Sequence, residues 1–241
     1  MKILLLSTSS VYGKPYLEYC NELLEEFYIS INSLLFVPYA RPSGISLEDY
    51  TQKVRNRFNK MNIKTIGINE YDDKISAVRD SEAIFIGGGN TFLLLNELYK
   101  YNLVDFIKEQ VLSSGSIYMG ASAGSNVAGL TINTTNDMPI IYPPTFSALS
   151  LVNFNLNPHY LDPEPNSTHK GETRETRINE FHTLEQNTQP VVGLREGSGL
   201  LIADTKGEKS IKLTGELSMR VFLNNKPAIE LNSSDDLSFL L

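Results

Sequence analysis

The sequence predicts an α/β protein: a doubly wound, mostly parallel sheet of the flavodoxin-like kind, with short antiparallel strands toward the C-terminus. Three observations predict it. Apolar runs of strand length alternate with amphipathic helical patterns through the first half of the chain. The runs are continuous rather than alternating, as strands covered on both faces require. Two of them end in glycine-rich stretches, which in such a sheet open on the same edge.

The N-terminal run at residues 3–6 is too short for a signal-peptide core, and no cleavage site follows it, so it reads as a first, buried strand. Further strands are expected at residues 34–37, 64–66, 83–86 and 117–119. Helical patterns lie between them at 16–27, 47–61, 74–79, 92–101 and 104–112. Ser46 followed by Glu48 and Asp49 has the form of an N-cap with an acidic first turn. A βαβα series of this kind implies right-handed crossovers onto one sheet. Residues 133–165 are irregular and rich in Pro, Asn, Thr and Asp. Their apolar content, including Ile140, Tyr142, Phe146, Phe154 and Tyr160, favours an ordered, functional connection. Helix resumes at 172–184. Short strands are expected at 191–194, 200–202, 210–213, 219–223 and 228–231, reading as an antiparallel edge or small flap. With no repeat and no clear linker, residues 1–241 read as a single domain.

A chain of 241 residues can bury a full core, and its 41% hydrophobic and 20% charged residues are ordinary for a soluble protein. A net charge of -7 without a basic stripe argues against a nucleic-acid partner. No apolar stretch approaches a membrane span, and a cytoplasmic location is expected. The single cysteine, Cys20, excludes an internal disulfide and a multi-cysteine metal site. Within the helical pattern at 16–27 it reads as a small buried apolar residue.

The pentapeptide Gly120-Ala121-Ser122-Ala123-Gly124 carries the strongest chemical signal. A serine between small residues and glycines, just past a strand, is the pattern of a nucleophile elbow, although a simple packing turn shares that composition. A serine hydroxyl needs a base, and histidine is the usual one near neutral pH. Of the three histidines, His182 falls in a helical pattern as a surface residue, and His169 lies in a polar loop. His159 follows a strand-like run in Asn157-Pro158-His159, where a base belongs. The acid that orients it is Asp137 or Glu196, each of which also suits a turn. Gly87-Gly88-Gly89-Asn90 could cradle a phosphate or present N–H groups to an oxyanion. The absence of the dinucleotide and P-loop spacings favours the oxyanion hole, completed by the N–H of Ala123. His169-Lys170-Gly171-Glu172-Thr173-Arg174 opens a helix, and an arginine in a first turn, against the helix dipole, points to a binding duty.

Together these segments resemble peptidase E, the α-aspartyl dipeptidase family of serine peptidases. The resemblance runs in order through Leu4-Leu5-Leu6-Ser7, Gly87-Gly88-Gly89-Asn90-Thr91-Phe92, the Ser122 pentapeptide and Thr134-Thr135-Asn136-Asp137-Met138-Pro139-Ile140. It continues through Asn157-Pro158-His159 and residues 169–174, and fades after about Leu200. It implies a fold like class I glutamine amidotransferases and cleavage of Asp-Xaa dipeptides through an aspartyl-enzyme, with no metal or other cofactor. It implies Ser122 as nucleophile, His159 as base and Asp137 as acid, with Glu196 the alternative acid. Gly88, Gly89 and Ala123 would form the oxyanion hole, and Arg174, with Asn90, would bind the substrate. Two departures stand out. Ser125 precedes Asn126 where alanine or threonine is expected, and Asp162-Pro163-Glu164-Pro165 adds negative charge near the site.

The expected activity is therefore that of a serine dipeptidase acting on small peptides, as a monomer or homodimer, with neither nucleic acid nor membrane as partner. The alternatives are a cyanophycinase-like hydrolase and a non-catalytic small-molecule binding protein.

Overall fold

In the computed structural model, which describes residues 1–166, 168 and 170–241, strand β1 (Lys2–Leu6) shows how the apolar runs are used. Ile3 and Leu5 enter one core and Leu4 and Leu6 the other, all at most 1% exposed, because successive side chains of a strand point to opposite faces. Strands β2 (Ser33–Val37), β3 (Lys64–Gly67), β4 (Ala83–Ile86) and β5 (Ile117–Ala121) join it in parallel. Helices α1 (Asn21–Phe27) and α2 (Leu47–Asn59) contribute Leu24, Phe27, Tyr50, Val54 and Phe58 to the core shared with Leu4 and Leu6. Helices α3 (Lys74–Arg79), α4 (Thr91–Lys100) and α5 (Leu103–Leu112) pack into the other. Truncating a fully buried member such as Leu4 or Leu95 to alanine costs about 2–5 kcal/mol. Both faces are thus covered, as the continuous apolar runs imply.

The helix expected from residue 16 begins only at Asn21, because Leu17 takes a left-handed φ of 57°. Its N–H donates to Ser9 O (2.8 Å) and its side chain is fully buried. Ser46 caps α2, accepting the Asp49 N–H at 3.0 Å as its sequence context predicts. Cys20 is buried just before α1, and burial pushes its thiol up to about 11.

The four-residue helix α6 (Ala123–Asn126) follows β5, and the chain then enters β6 (Asn155–Pro158), α7 (Arg174–Phe181) and β7 (Val191–Leu194). β6 and β7 are parallel, so a crossover that includes α7 must connect them. Strands β8 (Gly199–Thr205) and β9 (Glu208–Thr214) extend the main sheet antiparallel beyond β1, giving the order β3-β2-β4-β5-β1-β8-β9. β10 (Met219–Phe222) and β11 (Ile229–Leu231) join β7 and β6 in a second sheet, β11-β10-β7-β6. The C-terminal strands therefore divide between two sheets. Their short runs announce strands, but pairing is decided by distant partners. Among the described residues no helix is long and apolar enough to cross a membrane.

Candidate active site

Ser122 sits at the carboxyl end of β5 with φ 54° and ψ −113°, a sparsely populated conformation for a residue with a side chain. Its neighbours explain how the turn closes. A Cβ on Gly120 would strike the backbone of Gly124, and one on Gly124 would strike the carbonyl of Ile86 on β4. A Cβ on Gly88 would lie 2.9 Å from the Ser122 Cβ and 3.5 Å from its Oγ. Glycines thus allow β5 to reverse into α6 and leave the space over the hydroxyl clear. Ser125, the departure from the family pattern, places its Oγ 2.7 Å from Leu6 O and 2.8 Å from Gly120 O, tying α6 to β1 and β5.

The second sheet supplies the partner groups. β6 and β7 pair with Pro158 opposite Leu194, so His159 and Glu196 emerge from adjacent strand ends. His159 Nε2 lies 2.9 Å from Ser122 Oγ, and Nδ1 lies 2.6 Å from Glu196 Oε1. His159 also has a left-handed φ, of 54°. Ser7 stabilises that turn: its Oγ accepts the His159 N–H at 2.9 Å and donates to Leu194 O at 2.8 Å. Fully buried at the end of β1, Ser7 joins the two sheets where the serine and histidine meet. Asn136 donates to Pro158 O (2.7 Å), and Asn157 donates to Thr134 O (2.8 Å) and Asn136 Oδ1 (2.6 Å), holding residues 134–136 against the same strand end.

Other expected site residues have different work. Asp137 does not stand on His159. Its Oδ2 accepts from Thr91 N (2.7 Å) and Thr91 Oγ1 (2.6 Å), so it neutralises the positive end of α4. Asn90, expected to bind the substrate, has both ends of its side-chain amide engaged. Its Oδ1 caps α4 by accepting the Leu93 N–H (3.0 Å), and its Nδ2 donates to Met138 O (2.9 Å). The Gly88 N–H, expected in the oxyanion hole, donates to Tyr50 Oη at 3.0 Å. The N–H groups of Gly89 and Ala123 find no acceptor among the described residues; Ala123 follows the serine, and Gly89 follows Gly88, which lies against it. His169 lies outside the described residues. His182, expected on a helix surface, is instead buried at the end of α7, with Nε2 3.0 Å from Gln189 O.

Arg174 begins α7, whose N-cap Thr173 accepts the Thr176 N–H at 3.1 Å. With Asn136, Glu172 and Arg177 it lines a cleft of about 560 Å³ beside residues 161–164. Burial lowers the pKa of its guanidinium from the ordinary value, as does the charge of Arg177, and Asp137 opposes both. Asp162 in the cleft wall is held by Arg195 through two hydrogen bonds of 2.8 and 2.7 Å, so one of the two carboxylates of that insert is paired.

The model of peptidase family S51 matches residues 3–210. The chain belongs to peptidase family S51. It is 46% identical over 241 residues to a probable alpha-aspartyl dipeptidase of Drosophila melanogaster, covering 99% of this chain and 97% of the fly protein. It is 44% identical to peptidase E of Streptomyces coelicolor, covering 100% of this chain and 95% of the bacterial protein. Two solved structures share the fold. A putative peptidase E from Listeria monocytogenes has a TM-score of 0.64 at 20% identity, covering 89% of this chain and 98% of its own. A peptidase from an acI-B1 actinobacterium has a TM-score of 0.67 at 18% identity, covering 98% and 96%. The chain is accordingly a peptidase.

Sequence reasoning missed three residues of this S51 peptidase site. Ser7 had a usable signal, as a polar residue ending a buried strand. Asn136 stood in a segment that carries the family resemblance but reads by itself as a turn residue, and Tyr50 had no signal, because an aromatic within an amphipathic helix reads as core.

Proposed function

We propose that this S51 peptidase is a serine-type α-aspartyl dipeptidase that hydrolyses Asp-Xaa dipeptides through an aspartyl-enzyme. The reading is carried by the line from Ser122 Oγ through His159 to Glu196, at 2.9 and 2.6 Å. Glu196 accepts a hydrogen bond from Nδ1–H, which fixes the tautomer that leaves Nε2 as the base. Nε2 takes the Ser122 proton as Oγ attacks the peptide carbonyl. The N–H groups of Gly89 and Ala123 receive the oxyanion, and fixed donors of this kind need no reorganisation as charge develops. The imidazolium then protonates the leaving amine. Water attacks the ester with His159 again as base, and aspartate departs. Arg174 pairs with the side-chain carboxylate of that aspartate, for which a guanidinium fork is well matched. Asp137 supports the site by anchoring α4 and is not the acid of this relay.

The names of the relatives support the aspartyl-dipeptide substrate and do not favour the cyanophycinase-like or binding-protein alternatives. We infer that the protein acts on small peptides in the cytoplasm, as a monomer or homodimer, with no part for nucleic acid, membrane or cofactor. The test is amino-acid release from Asp-Leu, Asn-Leu and Glu-Leu in EDTA, with Ser122→Ala alongside. Turnover of Asp-Leu alone, lost in the variant, is expected. Failure of folded wild type on all three would overturn the proposal.

A further inference from the structure

We propose that Arg177 holds the free C-terminal carboxylate of the dipeptide while Arg174 holds its aspartyl side chain, so that the two arginines read substrate length as well as identity. This rests on the dipeptidase reading above and adds a residue to which neither the sequence patterns nor the family resemblance gives a role.

Arg174 and Arg177 are three residues apart on α7, a spacing that brings Cβ atoms to about 5–6 Å on one helix face. Both line the cleft of about 560 Å³, and both line a smaller cavity of about 140 Å³ that also touches Asn136 and Asp137. Two guanidinium groups in one depression repel each other, and the Arg177 charge already acts against the ionised form of Arg174. Glu164 also lines the cleft, but the other nearby carboxylates are engaged elsewhere or stand off. Asp137 is engaged by Thr91 at 2.6 and 2.7 Å. Asp162 is held by Arg195, and Glu175, beside Arg174 in sequence, turns to Arg220 at 3.1 Å. Glu172 comes only to 4.0 Å from Arg177, with both side chains more than half exposed. Neither arginine has a carboxylate within hydrogen-bonding distance among the described residues.

In a chain of net charge -7, two guanidinium groups without a close carboxylate partner thus share one cleft, whose walls also carry Asp162, Glu164 and Glu172. The complementary ligand is a small molecule bearing two carboxylates separated by roughly the length of two residues, about 7 Å when extended. An Asp-Xaa dipeptide is such a molecule. A longer peptide places its terminal carboxylate elsewhere, and a peptide amide lacks it.

The test compares Asp-Leu with Asp-Leu amide for wild type, Arg177→Gln and Arg177→Lys. Wild type is expected to lose roughly tenfold in kcat/KM on amidation, almost all in KM, the modest size reflecting an exposed cation. Arg177→Gln should lose the same factor on Asp-Leu, keep kcat and become indifferent to amidation, while Arg177→Lys recovers part of the loss. Wild type indifferent to amidation, or a variant equally impaired on both substrates, would overturn the assignment while the dipeptidase reading stands. No turnover of Asp-Leu by folded wild type would overturn that reading and this one with it.

Discussion

Replacing Glu196 by glutamine and, separately, Asp137 by asparagine divides the two candidate acids cleanly. Glu196 Oε1 is 2.6 Å from His159 Nδ1, so its charge stabilises the imidazolium that forms as Ser122 attacks. Two unit charges about 4 Å apart interact by about 4 kcal/mol at an effective dielectric of 20 and about 1 kcal/mol in water. The Glu196 side chain is 51% exposed, which places the interaction between those limits, at about 2–3 kcal/mol. That corresponds to roughly 30- to 150-fold in kcat. A buried triad acid costs about 10⁴-fold when amidated, so an exposed one is expected to cost less. Asp137→Asn leaves the relay untouched and weakens the hold on Thr91 at the start of α4. That costs about 0.5–2 kcal/mol, or roughly 2–6 °C in a protein of this size. The assay is kcat from amino-acid release at saturating Asp-Leu, with a thermal melt of each variant. The expected result is Glu196→Gln slow and stable, Asp137→Asn fast and less stable. Asp137→Asn slow by a hundredfold beside an active Glu196→Gln would refute the reasoning.

Ser7→Ala orphans the buried His159 N–H and loosens its left-handed turn, so stability should fall by about 1–3 kcal/mol and kcat should fall at unchanged KM, read by melting and steady-state kinetics. Gly88→Ala pushes a methyl group to within 2.9 Å of the Ser122 Cβ, so a serine-directed phosphonate should label the variant far more slowly while circular dichroism stays native. Asp162 is held below the usual carboxylate range, chiefly by its hydrogen bond from Arg195. A depressed folded pKa contributes stability above the unfolded value of about 4 and loses it as pH falls through the folded one. Wild type should therefore exceed Asp162→Asn in denaturation midpoint by a constant margin above pH 5, narrowing to nothing as pH drops toward 2.

Much of the machinery was legible because it sits at strand ends. The runs at 83–86 and 117–119 located β4 and β5, and their glycine-rich sequels located the elbow and the donors beside it. His159 was legible for the same reason, as the residue after a strand. The choice between Asp137 and Glu196 was not, because it depends on β6 lying parallel to β7. That pairing is non-local, and nothing in Leu194-Arg195-Glu196-Gly197 states which strand will be its neighbour. Asn90 was ambiguous for a related reason. An asparagine after three glycines suits a ligand site and a helix cap equally well, and only the position of Met138 O shows that its amide is engaged at both ends. The early break in the helix at 16–27 came from Leu17, whose buried side chain outweighs the cost of its left-handed backbone.

The division of the site between two sheets has a consequence for how it fails. Ser122 and the N–H groups of Gly89 and Ala123 follow the β4–β5 pair, while His159 and Glu196 follow the β6–β7 pair. Within each pair the ladder sets the geometry, so neither half drifts alone. The 2.9 Å contact between serine and histidine instead depends on how the sheets dock. Three links control that docking close to the contact. Ser7 bridges β1 to His159 and Leu194, Asn126 on α6 donates to Leu156 O (3.3 Å), and Thr134 Oγ1 donates to the same carbonyl (2.8 Å). A shift of about 1 Å between reacting groups can cost a hundredfold in rate, whereas losing one such hydrogen bond costs stability only about 1 kcal/mol. Substitutions at these links should therefore slow turnover strongly well before they unfold the chain, and buried polar residues that touch no substrate will behave in assays like members of the site.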